Sequence, residues 1–176
     1  ATRDLARWGW EDVTLPLDGG GRLALDATTT GADTDPELLC VTLACGQSGA
    51  WEDVARVAAW QAGRPGRRVH VDAAQAWWSD APTPFGLPQG LAATVAFAPH
   101  KLGGPRGIGG VLVRRDVDLT PVTPGSQEDG LRGGTEAVAL AAGFARAVEL
   151  AAADRAGTVR RLTGLRERLE GGLLAT

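Results

Sequence analysis

Arg68-Val69-His70-Val71-Asp72-Ala73-Ala74-Gln75 is the stretch on which the fold turns. An apolar run flanked by turn residues that closes on a carboxylate reads as a buried strand, Arg68 to Asp72, delivering its last side chain to the sheet edge. Upstream, Trp51-Glu52-Asp53-Val54-Ala55-Arg56-Val57-Ala58-Ala59-Trp60 sets apolar residues at 51, 54, 55, 57 and 58 on one helical face. Before that helix, Leu38 to Leu43 reads as another strand. Strand, helix, strand predicts a parallel α/β unit with a right-handed crossover. Downstream, Ala93 to Ala98 and Gly109 to Val113 read as strands, as does Val13 to Leu17 near the start.

The strand at 93–98 leads into Pro99-His100-Lys101. Lys101 is the only lysine beside 17 arginines. A lysine amine loses its proton and attacks carbonyls, which a guanidinium does not do, so Lys101 is the first candidate for covalent chemistry. Open α/β sheets bind ligands at the carboxyl ends of their strands. Asp72 and Lys101 stand at two such ends, where an acid can hold a cationic ring nitrogen and Gln75 can reach a neighbouring oxygen.

The rest of the chain sets bounds. At 176 residues and 44% hydrophobic content it holds one core, not two comfortable domains. A net charge of −3 with scattered arginines argues against nucleic acid, and no apolar run of membrane-spanning length is present. Cys40 and Cys45 lie in or beside an apolar run and read as small buried residues; with no secretory signal, a reducing cytoplasm is the expected compartment. A chain that begins at Ala1 and holds no methionine has lost its start to processing or is part of a longer protein. Two long irregular segments, Trp77 to Gly90 and Asp116 to Gly134, interrupt the regular elements, and loops of that length are usually functional or intersubunit. Trp77 and Trp78 pack beneath the first or line an interface. Helices are expected from Glu136 to about Ala153 and from Thr158 to Leu174. His70 reads as a packed or surface histidine, and the glycines from 103 to 110 as a turn, since no Gly-Lys-Ser/Thr follows to make a phosphate loop.

Three spaced motifs carry a family resemblance: Val71-Asp72-Ala73-Ala74-Gln75; His100-Lys101 with Gly104-Pro105-Arg106-Gly107-Ile108-Gly109; and Gln127-Glu128-Asp129-Gly130-Leu131-Arg132-Gly133-Gly134-Thr135-Glu136. Together, in this order, they resemble the cysteine desulfurases, fold-type I pyridoxal-phosphate enzymes of the class V aminotransferase group. The resemblance runs from about Val13 to the C-terminus. It implies part of a fold-type I large domain, a mostly parallel sheet with flanking helices, over 1–150, and at 151–176 a helix leading toward a C-terminal small domain. It implies that Lys101 binds pyridoxal 5'-phosphate covalently and later moves protons at the substrate α-carbon. Asp72 pairs with the ring nitrogen, Gln75 with the phenolic oxygen and His100 with the phosphate. Thr135 reaches the phosphate of the other subunit, hence a homodimer. L-cysteine, or a related amino acid, is the expected substrate and a sulfur-acceptor protein a further partner. A selenocysteine lyase, an aminotransferase and an inactive truncated scaffold are the alternatives.

Two departures stand out. Ala98 replaces the serine of Ser-x-His-Lys, and Cys45-Gly46-Gln47-Ser48-Gly49 replaces Asn-Asn-Glu-x-Gly. Losing one neutral and one charge-assisted hydrogen bond, at roughly 0.5–1.5 and 1.5–3 kcal/mol, weakens cofactor retention by about two or three decades unless Gln47 or Ser48 compensates. The N-terminal phosphate loop and ring-stacking side chain of the family, and its C-terminal persulfide cysteine and carboxylate-binding arginine, are expected to lie outside this chain.

Overall fold

The computed structural model describes residues 2–25, 36–79 and 84–175. Residues 80–83 of the first expected loop lie outside that set. A four-stranded sheet in the order β1-β2-β3-β4 is built from β1 (Leu38–Thr42), β2 (Arg68–Asp72), β3 (Thr94–Phe97) and β4 (Gly110–Val113). The first three run parallel, and β4 returns antiparallel to β3. Helix α1 (Val54–Ala62) connects β1 to β2, while α2 (Val138–Ala153) and α3 (Arg155–Leu174) follow β4. The mostly parallel sheet with flanking helices expected from the sequence is what forms. Among the described residues no helix is long and apolar enough to cross a membrane.

Alternation decides which face is dry. Leu39 pairs with Val69, and Val41 with Val71, which pairs in turn with Val95. These five lie on one face and are buried together with Val57 and Trp60 of α1. The opposite face carries Cys40, Thr42, His70 and Asp72, all more accessible. Period-two patterning thus drives one face against the helix layer and leaves polar side chains on the other. His70 is half-buried there, its Nδ1 2.7 Å from the Thr94 hydroxyl, as befits a packed histidine.

Helix α1 starts three residues later than the apolar period suggests. Trp51 is held in a bridge with Ala44, and Glu52 N–H donates to the Leu43 carbonyl at 3.0 Å. Asp53 then caps the helix, its carboxylate accepting from the N–H groups of Ala55 and Arg56 at 3.0 and 3.2 Å. Asp53→Ala is expected to cost about 0.5–2 kcal/mol, read as a lower urea midpoint with an unchanged slope.

The expected strand at Val13 to Leu17 does not form. A single bridge joins Leu17 to Leu23 across a turn in which the Asp18 carboxylate accepts from Gly20 and Arg22 N–H. Leu15 of this segment and Leu23 across the turn pack on the core without joining the described ladder. Apolar content alone does not make a strand where no neighbour supplies a ladder.

Candidate functional site

The site is built where β2 and β3 end side by side. Asp72 pairs with Ala96 in the ladder, and the next residue, Ala73, donates its N–H to the Ala96 carbonyl at 2.8 Å. Parallel pairing therefore brings the carboxylate and the segment leading to Lys101 to one edge. Asp72 is exposed; its Oδ1 accepts from Ala74 N–H at 3.0 Å, and among the described residues it makes no ion pair. His100 and Lys101 are exposed as well. A lone lysine in a chain with 21 acidic residues makes no ion pair among the described ones.

Lys101 closes a short 3-10 turn, Pro99–Lys101. Pro99 is fully buried, and its carbonyl accepts from Leu102 N–H at 2.8 Å and Gly104 N–H at 2.9 Å. Gly103, at φ +82°, provides the left-handed step that turns the chain back. A β-carbon on Gly104 would stand 2.7 Å from Pro99 Cβ and 2.9 Å from Ala147 Cβ of α2, so the absence of a side chain lets turn and helix touch. Ala98, where the family pattern has serine, provides no side-chain cap to this turn.

Gln75 is exposed and leans over the loop that follows β1. A β-carbon built on Gly46 would lie 2.9 Å from Gln75 Nε2, so the Gln75 amide occupies the space from which an asparagine side chain at 46 would project. Asp72, Gln75, His100 and Lys101 thus share one sheet edge. Thr135 does not join them through any hydrogen bond among the described residues. It follows a turn closed by a Gln127–Arg132 bridge, where Glu128, Asp129 and Gly130 all take positive φ, at 50°, 55° and 88°. Non-glycine residues in that region carry strain. The loop is drawn together further by the close approach of Gly125 and Gly133, where a β-carbon on Gly125 would collide with the Gly133 backbone.

Neither cysteine is buried as expected. Cys40 lies exposed on the polar face of the sheet, yet crowding around its thiol and the charge of Asp12 raise its pKa. Cys45 is half-buried just past β1. The Ser48 hydroxyl, helped by the N–H groups of Ser48 and Gln47, lowers its pKa by stabilising the thiolate. With a limiting alkylating reagent at neutral pH, Cys45 is expected to be labelled before Cys40, and Ser48→Ala should narrow the gap. Peptide mass mapping over time checks the order.

Two contributors were not visible in the sequence. Trp78 Nε1 donates to the Lys101 carbonyl at 3.4 Å, and Arg155 binds the segment that carries Trp78. No sequence signal marked Arg155, which lies three residues before the helix start expected at Thr158. A cavity of about 600 Å³ lies elsewhere, beside β1 against Trp10, Leu15, Leu23 and Cys40, and none of the candidate residues lines it.

Residues 2–175 match the family described as aminotransferase class-V. The chain is 31% identical over 174 residues to a cysteine desulfurase of Bradyrhizobium diazoefficiens, covering 98% of this chain and 43% of that protein. It is 34% identical over 162 residues to a cysteine desulfurase of Cereibacter sphaeroides, covering 92% of this chain and 40% of the relative. Among solved structures, a NifS-like protein superposes with a TM-score of 0.85 at 29% identity, over 99% of this chain and 47% of that one. DndA from Streptomyces lividans gives 0.81 at 29% identity, over 99% and 50%. The chain therefore spans less than half the length of these curated relatives.

Proposed function

The chain belongs to the aminotransferase class V family, and on that footing we propose that it is the cofactor-holding part of a pyridoxal-phosphate-dependent cysteine desulfurase. The observation that supports the reading is that a carboxylate with no ion pair among the described residues and the chain's only lysine stand at and just past the ends of two paired parallel strands. The residues suit such a group. Asp72 has one oxygen engaged by Ala74 and the other, with no hydrogen bond among the described residues, suited to accept from a ring N–H. The Gln75 amide, standing over Gly46, offers a donor to a ring oxygen from the space that the missing asparagine leaves.

In this reading Lys101 Nζ attaches the cofactor and carries the proton taken from the substrate α-carbon. Asp72 holds a proton on the ring nitrogen. Gln75 donates to the ring oxygen and His100 to the phosphate, and Thr135 serves the phosphate of the second subunit of a homodimer. Pyridoxal phosphate supplies the electron sink conjugated to the substrate α-carbon. With L-cysteine, a thiolate of the complete protein attacks the substrate sulfur and becomes a persulfide. The electron pair of the broken carbon–sulfur bond stays on carbon, which takes a proton to give L-alanine, and the persulfide sulfur passes to an acceptor protein. The boundary near 150, with the helix beyond it leading to a small domain, belongs to the same reading. The free thiols of Cys40 and Cys45 fit a reducing cytoplasm.

Titration of the chain with pyridoxal phosphate tests the proposal. A saturable visible absorption band that L-cysteine perturbs supports it. A spectrum equal to that of the free cofactor at every concentration contradicts it. Release of alanine from L-cysteine by a longer form of the protein tests the substrate.

A further inference from the structure

We infer that Arg155 is a positioning residue for Lys101, acting through a strap formed by Trp77, Trp78 and Ser79; this rests on the role proposed for Lys101 and adds a residue that fixes where its backbone stands. Arg155 opens α3, and its guanidinium turns back across the molecule. Nε donates to the Trp77 carbonyl at 3.2 Å, and Nη2 donates to the Ser79 carbonyl at 2.6 Å and to Ser79 Oγ at 3.0 Å. Ser79, only 8% exposed, is a buried polar residue whose partner is this arginine. A planar fork that meets two carbonyls and a hydroxyl fixes the strap's orientation as well as its distance.

Between the two gripped carbonyls sits Trp78, whose indole N–H donates to the Lys101 carbonyl at 3.4 Å. At that length the bond lies at the limit of useful geometry, so a strap displaced by a few tenths of an ångström loses it. The Pro99 carbonyl holds the far side of the turn through Leu102 and Gly104 N–H, but the bonds at Lys101 itself are long. Lys101 N–H reaches the Ala98 carbonyl only at 3.5 Å, and Ala98 supplies no cap. On the other flank Gly104 and Pro99 press on Ala147 of α2. The two helices that meet at Asp154 and Arg155 therefore hold the lysine turn between them, α2 by packing and α3 through the strap.

Hydrogen exchange of the whole chain without cofactor tests this, read on peptides covering Pro99 to Gly104. Arg155→Met and Trp78→Phe are each expected to speed exchange there about two- to threefold, the loss of one long hydrogen bond at the low end of its usual worth. Because they act in series, the double variant should show no more than the larger single effect. Arg155→Lys, which lacks the fork, should recover only part of the protection. A brace without a positioning role would speed exchange in α3 and the strap and leave Pro99 to Gly104 unchanged. That result, or additive effects in the double variant, overturns the inference. Trp78→Phe removes the indole donor without touching Arg155, so it decides the matter even if Arg155→Met fails to fold. Pyridoxal phosphate affinity, measured by absorption, should fall by a similar factor in both variants. A wild-type chain that takes up no cofactor defeats the proposed function, while the exchange data still decide the place of Arg155.

Discussion

Lys101→Ala is expected to abolish covalent capture of pyridoxal phosphate and to leave folding intact. In a longer form that turns over L-cysteine, it should lower kcat by about 10²- to 10⁴-fold, the usual worth of a positioned proton carrier. The effect is large because nothing can replace the residue. The 17 arginines stay protonated and do not attack carbonyls, and the two histidines cannot form an imine. The stability change should be small because the side chain is exposed and makes no ion pair among the described residues. Visible absorption with cofactor and a thermal melt without it, run on the same preparation, separate the two outcomes. Captured cofactor in the variant, or a collapsed melting temperature, would count against the account.

Gly104→Ala should show the opposite pattern, a loss of stability that reaches the site. Its new methyl would stand 2.7 Å from Pro99 Cβ, 2.9 Å from Ala147 Cβ and 3.0 Å from the Pro99 carbonyl. Two of these are short side chains with no rotamer to change and the third is backbone, so the turn or α2 must move. Overpacking of this kind costs about 1–3 kcal/mol, and at about 2–4 °C per kcal/mol for a chain of this size the midpoint should fall by several degrees. Cofactor affinity should fall with it, because the element displaced carries Lys101. Gly46→Ala makes a useful contrast. Its contact is the far end of the flexible Gln75 side chain, which swings away at little cost.

Local pattern carried much of this architecture. β2 forms over Arg68–Asp72 as its apolar run suggests, and β3 and β4 fall within the stretches read as strands. These elements owe their form to burial of alternate side chains, which is written along the chain itself. Helix α3 begins at Arg155, three residues before the expected start. The low helix propensity of Gly157 hides a start at which Arg155 is also tied to the strap. The Val13 to Leu17 segment failed as a strand because pairing is non-local and no apolar pattern reveals its partner. Cys40 was read as buried because its strand is apolar, but alternation puts it on the accessible face.

The candidate site divides in the same way. Asp72, Gln75, His100 and Lys101 were legible because strand ends concentrate chemistry and the three motifs fixed their order. Trp78 and Arg155 were not, since 23 and 76–78 residues separate them from the groups they hold. The filling of the space over Gly46 by Gln75 was equally invisible, because a missing side chain announces a gap without saying what moves into it.

The most direct test of the central claim, that Lys101 is the covalent cofactor site, is borohydride reduction of the chain with pyridoxal phosphate, followed by proteolysis and mass mapping. The account predicts one reduced cofactor per chain, carried on the peptide containing Lys101. Cofactor mass confined to the N-terminal amine, or absent from Lys101 at saturating cofactor, would contradict it.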